Sequence, residues 1–253
     1  MKIFFKFDFK RAFFSKKTLI SSLIVLVLLL IPYFSEIKFP HPGLDGINYF
    51  IRIGAFSYLP FIAPLLASIP FSNSYIIDKE KDVFSKLFTI IDPKVYFTSH
   101  LIVNALVSGF VFLITKTILL IFLISAYGIN NTHTDVVGAF SPIYYKSKIA
   151  YIIISLLITF VSSAAFSTFI LGISTLTKSK FLLILLPLFF VVVTAVILPN
   201  TGLVEQLNVM TLFQIDIYSK ITGIGIIFYD LILFSIGSFL FYCFGYKKMN
   251  KVI

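Results

Sequence analysis

The chain has 253 residues, of which 58% are hydrophobic and only 13% are charged. A soluble domain of ordinary composition carries about 25% charged residues, so a water-soluble fold of this chain would expose large apolar patches. The net charge is +10. The basic excess lies at the ends of apolar stretches, which favours contact with anionic lipid headgroups over nucleic acid. The single cysteine excludes a disulfide framework.

Before the first apolar stretch, residues 1–18 mix phenylalanine with lysine. On a helical wheel, one face carries Phe5, Phe9, Ala12 and Phe13, and a separate stripe carries Lys6, Lys10 and Lys17. The segment also alternates with a period of two, which fits a strand. A lone strand at a membrane leaves its backbone groups unpaired. We therefore predict an amphipathic helix that lies in the membrane interface.

Six apolar stretches follow, each of a length that suits a membrane span, which needs about 20 apolar residues as a helix. Their approximate bounds are 19–35, 53–77, 101–127, 149–176, 181–198 and 221–246. The stretches are continuously apolar, whereas the strands of a transmembrane barrel alternate. The predicted fold is therefore an all-α integral membrane protein, with six transmembrane helices in one domain over residues 19–253.

The distribution of Lys and Arg predicts the topology. Most of them lie at the two termini and in the connectors that follow the second and fourth stretches. The positive-inside rule places these segments, and hence both termini, in the cytoplasm. No small-residue cleavage site follows the first stretch, which predicts a retained anchor rather than a cleaved signal peptide. The richness in Ile, Lys, Phe and Asn indicates an AT-rich bacterial genome, so the predicted location is the bacterial cell membrane.

The connector between the second and third stretches, residues 78–98, is the best candidate for a functional segment. It opens with a compact run of mixed charge, formed by Asp78, Lys79, Glu80, Lys81 and Asp82. Phe84, Leu87 and Phe88 then share one face of a short helix, which ends before Pro93. An apolar face flanked by charges can enter a groove on a soluble partner. The alternative is a solvated loop whose lysines only set the topology.

Two ionisable residues lie inside the predicted spans, Lys116 in the third and Asp230 in the sixth. Such a group costs several kcal/mol in hydrocarbon unless it is paired or hydrated. Counted from the outer ends of their spans, the two depths differ by about 3 Å, which predicts an ion pair. The alternative is that Lys116 extends towards the headgroups while Asp230 meets water or a polar neighbour.

Hydroxyl groups mark one face of the fourth stretch, at Ser155, Thr159, Ser163 and Ser167. Small and hydroxylated faces let membrane helices pack closely and share hydrogen bonds, which is the structural interpretation. The third stretch carries a similar stripe at Asn104, Ser108 and Thr115. The functional alternative is a polar lining for a substrate path.

The motifs of common catalytic and nucleotide sites are not found in the sequence. It contains neither a phosphate-binding loop of the form Gly-x-x-x-x-Gly-Lys-Ser/Thr nor a His-Glu-x-x-His zinc motif. A Gly-x-Ser-x-Gly nucleophile elbow is missing as well. We therefore expect no cofactor in this chain and no enzymatic activity of its own.

The end of the second stretch is the most specific local pattern. It reads Ile69-Pro70-Phe71-Ser72-Asn73-Ser74-Tyr75-Ile76-Ile77-Asp78-Lys79-Glu80. Together with the basic amphipathic start, the polar outer segment before the sixth stretch and the short basic tail, it resembles bacterial ABC transporter permeases of the type-2 superfamily. In that family an apolar second span runs into charged residues before a coupling helix.

The resemblance implies two permease copies, identical or related, above two separate ATPase subunits that use ATP and Mg. It also implies that residues 3–17 form an interfacial elbow helix and that residues near Asp78–Leu87 contact the ATPase. The Glu-Ala-Ala-x-x-x-Gly loop of importers and the large outer domain of four-span mechanotransmitting permeases are both missing. These absences favour export by alternating access, with a hydrophobic or amphipathic cargo such as a peptide, lipid or drug.

Two other classes of function fit so apolar a chain. A membrane-embedded enzyme would need His, Glu or Asp clustered at membrane depth, where the sequence places only Lys116 and Asp230. A non-transporting membrane partner, such as an immunity or sensor protein, needs no ATPase. A gene for a P-loop ATPase beside this one would favour the transporter.

Overall fold

The computed structural model describes residues 2–37, 43–131, 138–200, 207–216 and 222–247, and the regular structure in these ranges is helical. The α-helices are α1 (Lys2–Phe13), α2 (Lys16–Glu36), α3 (Gly46–Phe56), α4 (Leu59–Ser68), α5 (Ser74–Glu80), α6 (Val83–Leu87), α7 (Pro93–Tyr127), α8 (Ser141–Lys146), α9 (Lys148–Ile173), α10 (Lys180–Val192), α11 (Leu198–Asn200) and α12 (Gly223–Leu240). Two π-helical segments, Val193–Ile197 and Phe241–Tyr246, continue α10 and α12, and a 3-10 turn covers Val209–Leu212.

Within the described ranges, five helices are long and apolar enough to cross a membrane. They are α2, α7, α9, and α10 and α12 with their π-helical extensions. A sixth span is obtained if α3 and α4, which meet at a bend of 84°, count as one. The predicted all-helical fold is confirmed, and these helices indicate a multi-pass membrane protein with five or six spans.

The predicted second span is not the continuous helix that residues 53–77 suggested. After α3 ends, Ser57 adopts an extended conformation, and Pro60 lies in the first turn of α4. Proline is accepted there because the first turn needs no backbone donor. Pro70 then follows the end of α4, and a turn separates α4 from α5. Hydropathy over a window does not register such breaks, which explains the error.

The third span begins earlier than predicted. Helix α7 starts at Pro93, and its cap is the Asp92 carboxylate, which accepts a hydrogen bond of 2.7 Å from the Lys94 amide. The 35 residues of α7 extend over about 52 Å, much more than the roughly 30 Å hydrocarbon core. About 20 Å of this helix therefore projects beyond the core and is free to pack against other elements.

Helices α7 and α9 are antiparallel neighbours at the centre of the bundle. The Ser108 hydroxyl donates to the Ser163 carbonyl at 3.0 Å, and the Asn104 amide donates to the Ser167 hydroxyl at 3.2 Å. Helix α12 runs parallel to α9, and their backbones come so close that a Cβ on Gly172 would collide with Gly237. Small residues at these crossings allow the close approach.

Helix α1 packs along the first half of α7. Ring contacts join Phe4 to Tyr96 and Phe13 to Phe110, so the two helices run parallel. The predicted apolar face is the packed one, since Ala12 is buried and Phe5, Phe9 and Phe13 pack around it, while Lys6 and Lys10 are exposed. Its position in a membrane interface stays a prediction.

We call the end of the bundle that carries α1, α5, α6 and the start of α7 the basal end. The distal end carries α3, α8, the end of α7 and the start of α9. The connector at the basal end folds as α5 and α6, separated by a tight reversal at Asp82, whose φ is +49°. Aspartate tolerates this left-handed conformation better than most residues do.

Candidate functional site

A cluster of buried polar side chains joins three elements at the basal end. We call it the basal polar cluster, and its members are Asp8 and Arg11 of α1, Ser74 and Asp78 of α5, and Tyr96 and His100 of α7. All of them except Arg11 are buried. Buried polar groups need partners to offset their lost hydration, so this cluster determines how the three helices fit together.

Asp78 lies at the centre of one half of the cluster. The Arg11 guanidinium donates to both of its carboxylate oxygens, at 2.9 and 3.0 Å, and the Tyr96 hydroxyl donates to Oδ2 at 2.9 Å. A second ion pair of 3.1 Å joins Arg11 to Asp8. Paired hydrogen bonds between Arg and a carboxylate are strong and directional, so α1, α5 and α7 are held in one geometry.

The same ion pairs set the electrostatics of Arg11. Burial acts against its charge, but the bonds to Asp78 and the nearby carboxylate of Asp8 outweigh it and raise the pKa of the guanidinium. Arg11 therefore stays charged at every accessible pH. It also lies over the ring of Phe71 at 5.2 Å, a cation–π contact.

The other half of the cluster is a chain of three polar side chains. The Nδ1 of His100 lies 3.0 Å from Asp8 Oδ2, and its Nε2 lies 2.5 Å from the Ser74 hydroxyl. The Tyr96 ring stacks on the imidazole with a centroid distance of 4.7 Å, and the Phe71 ring lies tilted against it at 4.5 Å. The order serine, histidine, aspartate is that of nucleophilic hydrolases. Here the serine hydroxyl also contacts the Phe71 carbonyl, and all three side chains are buried.

Sequence reasoning missed this chain because its members are far apart in sequence. One signal was present: Asp8 lies four residues before Ala12, on the apolar face of α1, where a charge is unexpected. A second signal was the polar stripe of α7, because His100 lies on the same face as Asn104, one turn earlier in the helix. Neither signal says that the two faces meet.

Asp78 was predicted to contact a partner, and the structure places its side chain inside the chain. Its side chain is 3% exposed, and its charge is used within the chain. Lys79, Glu80, Lys81 and Asp82 are exposed, as a docking surface requires. Glu80 forms an ion pair with Lys180 at the start of α10, so the connector is also linked to the fifth span.

The apolar face of α6 also lies against the chain itself. Phe84 is 6% exposed and packs against its own chain, with ring contacts of 5.5 Å to Tyr75 and 5.3 Å to Tyr96. Phe88 stacks on Phe84 at 5.3 Å, and Leu87 is half-buried. An apolar face on a short helix can be buried by a partner or by the helix's own bundle. The spacing of the apolar residues is the same in both cases, so it does not distinguish them.

The outer surface of α6 and the turn after it is polar, apart from one residue. Its exposed members are Ser85, Lys86, Thr89 and Ile90. Ile90 is 85% exposed. Together with the exposed charges from Lys79 to Asp82, these side chains form what we call the connector surface. A partner of the connector would meet this surface.

The predicted ion pair between Lys116 and Asp230 is not formed. Each of them instead binds a hydroxyl of α9: Lys116 donates to Thr159 at 3.0 Å, and Asp230 accepts from Ser162 at 2.8 Å. The carboxylate that acts electrostatically on Lys116 is Asp216, in the segment before the last span. Equal depth was the only basis for the predicted pair, and depth does not say which helix faces are adjacent.

The hydroxyl stripe of α9 is buried in helix contacts. Ser163 and Ser167 accept hydrogen bonds from α7 and from the turn after α4, through their carbonyl groups. The Thr159 hydroxyl accepts from Lys116 and donates to the Ser155 carbonyl, whereas the buried Ser155 hydroxyl has no hydrogen-bond partner. The structure therefore favours the packing interpretation of these four residues. In this conformation they do not border an open passage.

A second set of buried charges lies at the distal end. Lys148, the first residue of α9, binds Asp45 at 2.7 Å, and Asp45 also caps α3 by accepting from the Asn48 amide at 2.8 Å. Close by, the Tyr151 hydroxyl donates to Asp216 at 2.5 Å. Burial raises the pKa of Asp216, although the hydrogen bond from Tyr151 opposes the shift. The sequence analysis did not single out these residues.

In the part of the chain that the structure describes, no group of three His, Cys, Asp or Glu side chains is arranged to hold a metal ion. A comparison of the chain with protein-family models, with curated proteins and with solved structures found no match.

Proposed function

We propose that the protein is the membrane-spanning permease subunit of an ATP-driven ABC exporter and that separate ATPase subunits dock at its basal end. The observation that carries the proposal is the construction of the connector: α5 and α6 present a polar surface outwards and are attached inwards to α1 and α7. A partner that pushes on this connector therefore acts on a membrane-spanning helix directly.

The attachment provides a route for mechanical coupling. A displacement of α5 moves Asp78, which is bound to Arg11 on α1 and to Tyr96 on α7. Helix α7 then contacts α9 through the stripe of Asn104 and Ser108. Packed helices respond to such a load by shifting between discrete arrangements rather than by bending continuously. For ATP to drive the shift, the partner must bind the two conformations unequally.

The structure changes which residues we assign to the coupling contact. Phe84 and Asp78 position the connector, whereas Lys79 and Lys86 on the connector surface meet the partner. Exposed charges at an interface mainly set orientation and the rate of association. The exposed Ile90 supplies apolar contact area beside them.

The remainder of the proposal comes from the distribution of Lys and Arg and from the resemblance to type-2 permeases. The basal end and both termini face the cytoplasm of a bacterial cell, two permease copies form the complex, and ATP and Mg are bound by the ATPase. The cargo is hydrophobic or amphipathic, and the path opens when the buried polar stripe between α7 and α9 separates.

The test uses two exposed lysines in matched positions. Lys86 lies in the last turn of the short helix α6, and Lys146 lies in the last turn of the short helix α8 at the distal end. The permease is produced together with any P-loop ATPase whose gene lies beside its own, and ATP hydrolysis is measured in the purified complex. Lys86→Glu should lower the hydrolysis that depends on the permease, and Lys146→Glu should leave it unchanged. If no ATPase co-purifies with the wild-type chain, or if both variants behave alike, the proposal is wrong.

One observation favours a second candidate function, that of a membrane-embedded hydrolase. The chain Ser74–His100–Asp8 has the order of a nucleophile, a base and an orienting acid, and Ser74 borders an open cleft. A hydrolase of this kind would label at Ser74 with a fluorophosphonate, and Ser74→Ala would remove the label. The transporter proposal predicts no labelling, because Ser74 is buried and bound to the Phe71 carbonyl.

A further inference from the structure

A cleft of about 440 Å³ lies at the basal end, between the junction of α1 and α2 and the turn that joins α4 to α5. Four basic side chains line it, those of Arg11, Lys16, Lys17 and Lys81. Among the lining residues, Asp78 is the acid. The cleft also has an apolar wall, which is formed by Pro70, Phe71, Ile77 and Val83.

The charges that line this cleft are not balanced. Arg11 is neutralised by Asp78 and Asp8. The ammonium group of Lys17 donates to the neutral side-chain amide of Asn73 at 2.7 Å, so its charge has no acidic partner there. Lys180 lies close enough to repel it further. A hydrogen bond to an amide fixes the position of a lysine but leaves its full charge facing the cleft.

Two further lysines add to this excess. Lys16 and Lys81 are exposed, and in the described ranges neither forms an ion pair with an acid. Three cations around one cavity repel each other unless an anion occupies it. The cleft therefore carries an excess of positive charge, which a multivalent anion such as a phosphate group would balance.

The surroundings of the cleft indicate what else the ligand contains. Lys16 is the first residue of α2, a helix of 21 residues that is long and apolar enough to cross a membrane. The cleft thus opens where a span begins, at the level of the lipid headgroups. Its apolar wall suits the glycerol and upper acyl carbons of a lipid, whereas an inorganic ion would leave that wall exposed to water.

We propose that this cleft binds a phosphate-bearing group, with the phosphate between Lys16, Lys17 and Lys81, and that an anionic phospholipid of the surrounding membrane supplies it. The site needs neither an ATPase nor a cargo, so it is independent of the proposed function. Bound lipid would tie the start of α2 to Lys81 at the end of α5.

The experiment measures binding to the purified chain in an uncharged detergent by native mass spectrometry. The probes are phosphatidylglycerol, phosphatidylcholine and inorganic phosphate. The double variant Lys16→Gln/Lys81→Gln is compared with Lys6→Gln/Lys10→Gln, which removes the same charge from exposed positions of α1 outside the cleft. Each lysine removed from the cleft should weaken phosphatidylglycerol binding about fivefold, whereas the α1 variant should bind as the wild type does.

The outcomes separate the two sources of phosphate and the possible failures. Preferred binding of phosphatidylglycerol that inorganic phosphate does not displace supports the lipid site. Displacement by inorganic phosphate supports the phosphate site and assigns it a soluble ligand. Equal losses in both double variants, or equal binding of both lipids by the wild type, overturn the proposal. Lys16→Arg/Lys81→Arg should retain binding, which distinguishes loss of charge from loss of fold.

Discussion

The two ends of the bundle both contain buried charges, but they use them for different purposes. At the distal end, Asp45 and Lys148 fix the start of α3 to the start of α9, two helices of the membrane bundle. At the basal end, Asp78 and Arg11 fix the connector to α1. The connector, unlike α3, exposes a continuous polar surface. The same kind of ion pair therefore stabilises the fold at one end and, in our proposal, transmits force at the other.

Removing the distal carboxylate should have the largest effect on stability. Asp45→Ala leaves Lys148 buried without its counter-charge and removes the cap of α3. We expect the free energy of unfolding to fall by about 4 kcal/mol, the sum of a broken buried ion pair and a lost cap. Unfolding in detergent measures it.

Asp45→Asn provides the control for this prediction, because it keeps an oxygen for the cap but removes the charge. It should lose less stability than Asp45→Ala. Hydrolysis by the co-purified ATPase, expressed per folded permease, should be unchanged in both variants. A specific loss of that hydrolysis would contradict the claim that the distal ion pair only stabilises the fold.

Removing the basal carboxylate should lower ATP hydrolysis as well as stability, and the loss of stability should be the smaller of the two ends. Asp78→Ala leaves Tyr96 without an acceptor and Arg11 with Asp8 alone. Because Arg11 is partly hydrated, we expect the smaller loss of about 3 kcal/mol in the free energy of unfolding. Permease-dependent ATP hydrolysis should fall as well, since the connector is no longer attached to α1.

The matched control is Asp82→Asn, which removes an exposed carboxylate four residues further along and keeps a residue that tolerates the left-handed backbone. It should change unfolding little, within about 0.5 kcal/mol. If Asp78→Ala destabilises the chain but leaves coupling intact, the route through Asp78 and Arg11 is excluded.

The orientation of α6 can be tested by labelling. With Cys243 replaced by alanine, Phe84→Cys should react slowly with a water-soluble maleimide, and Lys86→Cys should react quickly, because only the first position is buried. Equal reactivity would restore the interpretation from the sequence alone, in which Phe84 faces a partner. The reaction is measured on the permease without its ATPase.

The smallest effect concerns pH at the distal end. Burial raises the pKa of Asp216 above its ordinary value of 3.8. The folded state therefore binds this proton more tightly than the unfolded state does. The resulting stability is present in acid and is lost as the pH rises through the raised pKa. Asp216→Asn should flatten the pH dependence of unfolding in that window. An unchanged profile would show that Asp216 does not titrate within it.

The sequence was sufficient for the all-helical fold and for one packed face, because both follow from local periodicity. The stretch Lys148–Ile173 lies within three residues of its predicted bounds, and the apolar face of α1 packs as its spacing indicates. The break before α4 and the inward position of Phe84 were missed. The break depends on where a proline lies within a helix. The position of Phe84 depends on which other helices pack against α6.

The chain Asp8–His100–Ser74 shows the same limit for the candidate site. Its members lie on three helices, and nothing local to any of them predicts that they meet. Likewise, Lys116 and Asp230 match in depth but lie against different parts of α9. Long-range pairing of side chains depends on helix rotation, which a single sequence does not specify.

The most direct measurement of the central claim is site-specific cross-linking between the connector surface and the ATPase in membrane vesicles. The permease carries Lys86→Cys or Lys146→Cys in the Cys243→Ala background, with a short cysteine-reactive photo-cross-linker. We expect an adduct with the ATPase from position 86 that changes in yield when ATP is added, and none from position 146. An adduct from position 146, or none from position 86, would contradict the account.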